Sequence, residues 1–231
     1  MSIADNLSAI RECLARAASR AGRKPGDVAL MAVTKMQSVD SIREAYEAGQ
    51  RLFGENRVQE FAAKFGELAK LRDAEFHMIG HLQSNKAGKA AEIFHAVDSI
   101  DSAKLAERLN AAAETLGRSL AVMIEINIGG EAAKSGLAPG SPELESLLAC
   151  ARSWPRLHLR GLMTVPPFTD DPEGARPYFR RLRELREQLA LRGVPGLEVL
   201  SMGMSHDFEV AIEEGSNCVR IGTAIYGERA K

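Results

Sequence analysis

The sequence predicts an α/β protein, a closed (β/α)8 TIM barrel with one extra helix at its N-terminus. Three observations carry that expectation. Short apolar runs of strand character alternate with amphipathic helical stretches eight times along the chain. The length of 231 residues, with 45% hydrophobic and 26% charged, suits one sizeable core, so residues 1–231 are expected to form a single domain. Regular alternation with right-handed crossovers favours closure over an open doubly wound sheet, the structural alternative.

Composition excludes several classes of function. A formal net charge of −1 argues against a nucleic-acid partner, because neutralising phosphates leaves a clear basic excess. Cys13, Cys150 and Cys218 are odd in number and far apart, so no disulfide framework or zinc knuckle is expected and a reducing cytoplasm fits. No run reaches the ~20 apolar residues of a membrane span. Arg11, Arg16 and Arg20 lie on an amphipathic N-terminal pattern, but Asp5 and Glu12 spoil a transit-peptide reading.

In chain order, Ile3, Leu7, Ile10, Leu14 and Ala17 recur at helical spacing up to Gly22, predicting a helix over 3–21. A Lys-Pro-Gly-Asp turn leads into an apolar strand over 29–35 that ends on Lys35, and Ser38 caps the helix carrying Val39, Ile42, Ala45 and Tyr46. Residues 51–54 predict the second strand, with Glu55 and Asn56 at its exit and Val58, Phe61, Ala62 and Phe65 on its helix. Residues 75–79 predict the third, running through 80–86 into a helix over 87–92. A fourth strand is expected over 93–97, Asp98 and Ser99 as its cap, and Leu105, Leu109 and Ala112 as the stripe of its helix.

The second half is less evenly spaced. Residues 120–127 predict a strong fifth strand, and a polar loop over 128–141 separates it from the helix of Leu144, Leu147 and Leu148. Loops of that length are often functional. Strands are expected over 157–162, 197–200 and 218–221, with Tyr178, Phe179, Leu182, Leu185 and Leu189 on the helix between the first two and Phe208, Ala211 and Ile212 on the next.

Active groups of a barrel sit in the loops after its strands. Those positions hold Lys35, Glu55, Asn56, Gly80, His81, Asn127, Met163, Thr164, residues 201–205, Gly222 and Thr223, a polar ring around one mouth. Loops after strands seven and eight are the recurrent phosphate site of this architecture. Ser201 and Thr223 offer hydroxyls there, Gly203 and Gly222 let backbone amides approach an anion, and Ser205 suits a helix N-cap. A phosphate-bearing ligand is therefore expected opposite Lys35. The lysine reads two ways: as the first solvated residue after a strand, or, partly desolvated, as an amine nucleophile toward a carbonyl compound.

Longer motifs surround these positions. Ala32-Val33-Thr34-Lys35, Phe53-Gly54-Glu55-Asn56-Arg57-Val58-Gln59-Glu60 and His77-Met78-Ile79-Gly80-His81-Leu82-Gln83-Ser84-Asn85-Lys86 are three of them. The loop over 127–136, Gly161-Leu162-Met163-Thr164-Val165-Pro166, the run over 200–208 and the run over 219–227 complete the set. Over essentially the whole chain these motifs resemble the YggS/PROSC pyridoxal phosphate homeostasis family. The resemblance implies a fold-type III barrel similar to the N-terminal domain of alanine racemase, holding pyridoxal 5'-phosphate as an internal aldimine. Carried over by position, it makes Lys35 the Schiff-base lysine and puts Arg220 beside the pyridine nitrogen. It gives the phosphate to Ser201, Gly222 and Thr223, and lines the ring with Asn56 and Met202. Position 57 departs from the pattern, with arginine where many relatives carry tyrosine.

An arginine facing the ring nitrogen cannot accept its proton, which weakens the electron sink that amino-acid chemistry needs. The sequence ends at Lys231 just after the eighth repeat, so the additional β-domain that supplies alanine racemases with a second base is not expected. The resemblance then implies a protein of vitamin B6 homeostasis without strong catalysis that binds, stores or hands over the cofactor, with apo forms of pyridoxal phosphate-dependent enzymes as candidate acceptors; the cysteines fit a cytoplasmic protein, and the lack of a long exposed apolar stripe predicts a monomer. A racemase or decarboxylase is the enzymatic alternative, and an aldolase using Lys35 on a sugar phosphate is another.

Other features read as structure. His77 and His81 have i, i+4 spacing, but Gly80 intervenes and the segment runs from strand into turn, so barrel core rather than a metal is expected at His77. Arg180, Arg181, Arg183 and Arg186, with Glu184 and Glu187 nearby, read as a solvated helix face. Met163, Met202 and Met204 are candidates for ring contacts or core fillers, filler being the expectation for Met204. Lys134 reads either as a loop charge or as a gate residue.

Overall fold

The structure is a computed structural model and describes residues 2–227; the tail to Lys231 lies outside the described residues. It opens with helix α1 (Ile3–Arg20), whose Ser2 and Asp5 cap each other reciprocally and whose Leu7, Ile10, Leu14 and Ala17 form one buried face. Eight strands follow: β1 (Ala29–Val33), β2 (Leu52–Glu55), β3 (Glu75–Met78), β4 (Ala96–Ile100), β5 (Leu120–Glu125), β6 (Leu157–Met163), β7 (Val199–Met204) and β8 (Cys218–Ile221). They are parallel and pair in chain order, and β1 also pairs with β8, with Met31 opposite Arg220. That last pairing closes the barrel, as the eightfold alternation predicts.

Each strand is followed by a helix: α2 (Val39–Glu47), α3 (Val58–Leu68), α4 (Ala87–Ile93), α5 (Ala103–Thr115), α6 (Pro142–Cys150), α7 (Arg176–Leu191), α8 (Phe208–Glu213) and α9 (Thr223–Tyr226). Strand alternation sends one set of residues outward, where Ala32, Phe53, Phe76, Val97, Leu162, Leu200 and Val219 join the helices in one apolar layer. Phe61 of α3 packs there against Phe76 and Phe94 at ring separations of 4.8 and 4.7 Å. The other set faces the barrel interior and is unusually polar, with His77, Asp98, Glu125, Ser201 and Arg220 among Met31, Met123 and Met163. No described helix is long and apolar enough to cross a membrane.

The polar interior explains where the expected boundaries fail. The fourth strand lies three residues later than predicted, and Asp98 and Ser99 are not a cap but fully buried residues inside β4. Asp98 Oδ2 lies 3.1 Å from His77 Nδ1, Ser99 donates to the Gly80 carbonyl, and Ser102 caps α5 instead. An apolar period of two cannot reveal a strand whose inner face meets polar neighbours. For the same reason β7 runs to Met204, four residues beyond the predicted end. β1 and β5 stop two residues early, which leaves Lys35 and Asn127 in the following loops.

The arginine face of α7 also needs correction. Glu214, almost fully buried beyond α8, pairs with Arg176, Arg180 and Arg183 of α7, and the adjacent Glu213 binds Arg176 and Arg20 of α1. These arginines join three helices rather than lie idle in solvent.

Candidate functional site

The C-terminal ends of the strands surround a cavity of about 380 Å³, within the usual size range of small-molecule sites. Lys35, Asn56, Arg220, Gly222 and Thr223 line it together, so five of the seven predicted site residues meet at one place. Amine and cradle come from opposite ends of the sequence but from neighbouring strands, because β1 is paired to β8.

Lys35 is half-buried in the turn that follows β1. Val33 and Lys35, two residues apart, both reach the cavity, as alternation from the inward-facing Met31 requires. Asn56 follows the last residue of β2. Its position depends on Gly80: a Cβ there would stand 2.4 Å from the Asn56 carbonyl oxygen, so only glycine lets the two loops approach so closely.

Arg220 is 4% exposed, on the inner face of β8. Its Nη1 donates to Ser201 Oγ and its Nη2 to the Thr164 carbonyl, each at 2.7 Å. Burial depresses its guanidinium below the ordinary value, while Cys218, Asp98, Glu125 and Asp207 act the other way. Glu125 shares this interior; its Oε1 accepts from Ser135, its Oε2 is buried without a partner among the described residues, and burial raises its carboxyl.

The cradle forms where β7 and β8 end. Gly203 has φ +95°, a left-handed conformation, and a Cβ there would lie 2.5 Å from Ala211 Cβ, so the strand turns close beneath α8. Ser205 then reaches across, its Oγ accepting from the amides of Gly222 at 3.3 Å and Ala224 at 3.4 Å. Ser205 is therefore not the N-cap the sequence suggests. Asp207 holds that position, and its carboxylate accepts from the Met204 amide. Ser205, Gly222 and Thr223 form a small polar recess at this end of the cavity.

Two predicted site residues lie elsewhere. Ser201 sits one layer deeper, fully buried, and its hydroxyl serves Arg220. Met202 is fully buried in the apolar layer under the helices, because alternation on β7 turns it away from Ser201 and the mouth. Met204, expected as filler, does line the cavity. Lys134 does not line it: its Nζ donates to the Pro166 carbonyl and pairs with Glu131, tying the loop after β5 to the loop after β6. Asn127 braces the same loop by donating to the Glu131 carbonyl.

The sequence reading missed Gln37, Ile79, Phe168 and His206 as lining residues, while Ser205 lies at the mouth where it was expected. Phe168 packs on His206 at a ring separation of 5.6 Å although it is largely exposed, and no periodicity marks it.

A barrel with a lysine in the turn after its first strand and a small polar recess where its last two strands end defines a class, and comparison with known proteins places it. The alanine racemase N-terminal domain family matches residues 6–230. The pyridoxal phosphate homeostasis protein of Aquifex aeolicus is 43% identical over 229 residues, 99% of each chain. That of Pseudomonas aeruginosa is 44% identical over 227 residues, 98% of this chain and 96% of the other. PipY of Synechococcus elongatus, solved with PLP bound, superposes with a TM-score of 0.84 at 38% identity and covers 98% of this chain and 100% of its own. The chain belongs to the alanine racemase N-terminal domain family, and within it to the pyridoxal phosphate homeostasis proteins.

Proposed function

We propose that this chain holds pyridoxal 5'-phosphate in the 380 Å³ cavity and serves cofactor homeostasis as one barrel domain spanning residues 1–231. The observation that carries the reading is the convergence of Lys35, Arg220 and the Ser205–Gly222–Thr223 recess on one cavity. The donor set fits the group: a half-buried amine for an aldehyde, the Ser205 and Thr223 hydroxyls for a phosphate, and a buried guanidinium for the ring. The relatives named for pyridoxal phosphate homeostasis and the PLP-bound PipY structure support the same choice.

When bound, the cofactor supplies an electrophilic aldehyde carbon. Lys35 would engage it, Asn56 and Arg220 would hold the ring, and Gly222 and Thr223 with Ser205 would hold the phosphate. Arg220 offers only donors and is held by Ser201 and Thr164, so it can donate to a bare pyridine nitrogen but cannot take that nitrogen's proton. That favours holding over catalysis. The chain is proposed to act as a monomer in the cytoplasm and to pass its cofactor to apo enzymes.

Visible absorbance tests the reading. Protein incubated with pyridoxal phosphate should turn yellow, and borohydride should fix a pyridoxyl mass on Lys35 that Lys35→Ala lacks. Protein that takes up no cofactor overturns it. Amino acids incubated with the loaded protein in deuterated water should keep their α-protons; rapid exchange would instead favour a racemase.

A further inference from the structure

Behind the sheet, on the side away from the cavity, a small buried charge cluster grips the turn that carries Lys35. Lys64 of α3, with only 12% of its side chain exposed, forms an ion pair with Glu55 at 2.8 Å and reaches Glu60 at 3.4 Å. The same ammonium donates to the carbonyls of Thr34 at 3.4 Å and Gln37 at 3.3 Å, the two ends of the turn. Glu55 Oε1 accepts from the Thr34 hydroxyl at 2.8 Å, and Glu60 accepts from the Met36 amide. Thr34, Met36 and Gln37 are thus each tied to the cluster, and Lys35 stands between them.

The turn has reason to need such a hold. Met36 adopts φ +62°, a left-handed conformation that a side chain disfavours, and its side chain is 72% exposed, so packing on Met36 does not impose it. Glu55 has no exposed surface, and its Oε2 lacks a partner among the described residues. A carboxylate buried that deeply persists only with its cation in place. The cluster therefore stands or falls as a unit, and the backbone geometry on both sides of Lys35 goes with it.

We propose that Lys64, locked by Glu55, is a positioning residue that sets where the Lys35 amine stands over the cavity. The inference rests on the reading of Lys35 as the residue that engages the aldehyde. It also assigns purpose to an ion pair that touches no cavity wall, since neither Glu55 nor Lys64 lines the cavity.

Two ligands separate this role from simple stability. Pyridoxal phosphate reports on Lys35 as well as on the recess, while pyridoxine 5'-phosphate has no aldehyde and reports on the recess alone. Lys64→Met, and the charge-matched pair Lys64→Met with Glu55→Gln in case the single variant does not fold, should lose pyridoxal phosphate affinity and borohydride fixation by on the order of ten- to a hundredfold. Both should still bind pyridoxine 5'-phosphate as wild type does, and Lys64→Arg should restore much of the loss. Unchanged pyridoxal phosphate affinity in the double variant, or equal losses for both ligands, overturns the proposal. Wild-type protein that ignores pyridoxal phosphate overturns the reading of the site itself and this role with it, an outcome visible before any variant is made.

Discussion

Arg220 and Ser201 form a bond inside the barrel that orients the guanidinium from below: Nη1 donates to the serine hydroxyl at 2.7 Å while Nη2 is held by the Thr164 carbonyl. Both groups are buried, so Ser201→Ala leaves a charged donor without its acceptor. Loss of one buried bond to a charged group costs about 1–3 kcal/mol, and urea unfolding should show a fall of that size. An unchanged midpoint would mean that the hydroxyl does not support Arg220.

His77 and Asp98 make stability depend on pH. Burial works to lower the imidazole's pKa, but the charge and hydrogen bond of Asp98, with help from Glu75, outweigh it and raise the value to about 9. The folded value thus lies above the unfolded one of ~6.5. The pair's contribution is therefore complete below about pH 6.5 and is lost as the pH climbs through about 9. Unfolding free energy should drop by on the order of 2–3 kcal/mol across that window, and His77→Gln should flatten the profile. A wild-type profile as flat as the variant's would refute the pairing.

The three thiols should separate by reactivity. Burial pushes the Cys218 thiol up to about 12, deep between β7 and β1, whereas Cys13 and Cys150 are partly exposed. A disulfide reagent near neutral pH should titrate two thiols quickly and the third only after denaturant is added. Three fast thiols would contradict the burial of Cys218.

Glu214 binds arginines from three successive levels of α7, and these restrain its carboxyl below the usual glutamate range despite the opposing effect of burial. Glu214→Ala should destabilise by roughly 1–3 kcal/mol, more than an exposed pair would, because the carboxylate is buried although its partners are partly solvated. Thermal unfolding in low and high salt checks it. A variant as stable as wild type would reduce the cluster to decoration.

The parts of the fold that were legible in the sequence are those where burial is one-sided. Helices such as α1 and α7 show their stripes because one face meets the apolar layer and the other meets water. Strand ends were harder, since Asp98, Ser99, Ser201 and Gly203 are polar or small yet interior, and they resemble caps and turns. Lys35, Gly222 and Thr223 line the cavity because strand ends and glycine loops carry positional meaning in a barrel. Ser205 was misread because a serine before a helix looks alike whether it caps that helix or reaches to the next strand's amides. Met202 is placed at the ring by the family resemblance alone, and alternation from the inward Ser201 turns it into the apolar layer instead.

Closure of the ring also brings the two ends of the site together. The side chain of Asn6 in α1 donates to the Ile225 carbonyl at 2.8 Å, lashing the opening helix onto the last one across nearly the full sequence. The recess and the amine come from the two strands that meet at that seam, so fraying there draws them apart. Occupancy should then protect the entire ring against melting, by an increment that grows with the logarithm of ligand concentration.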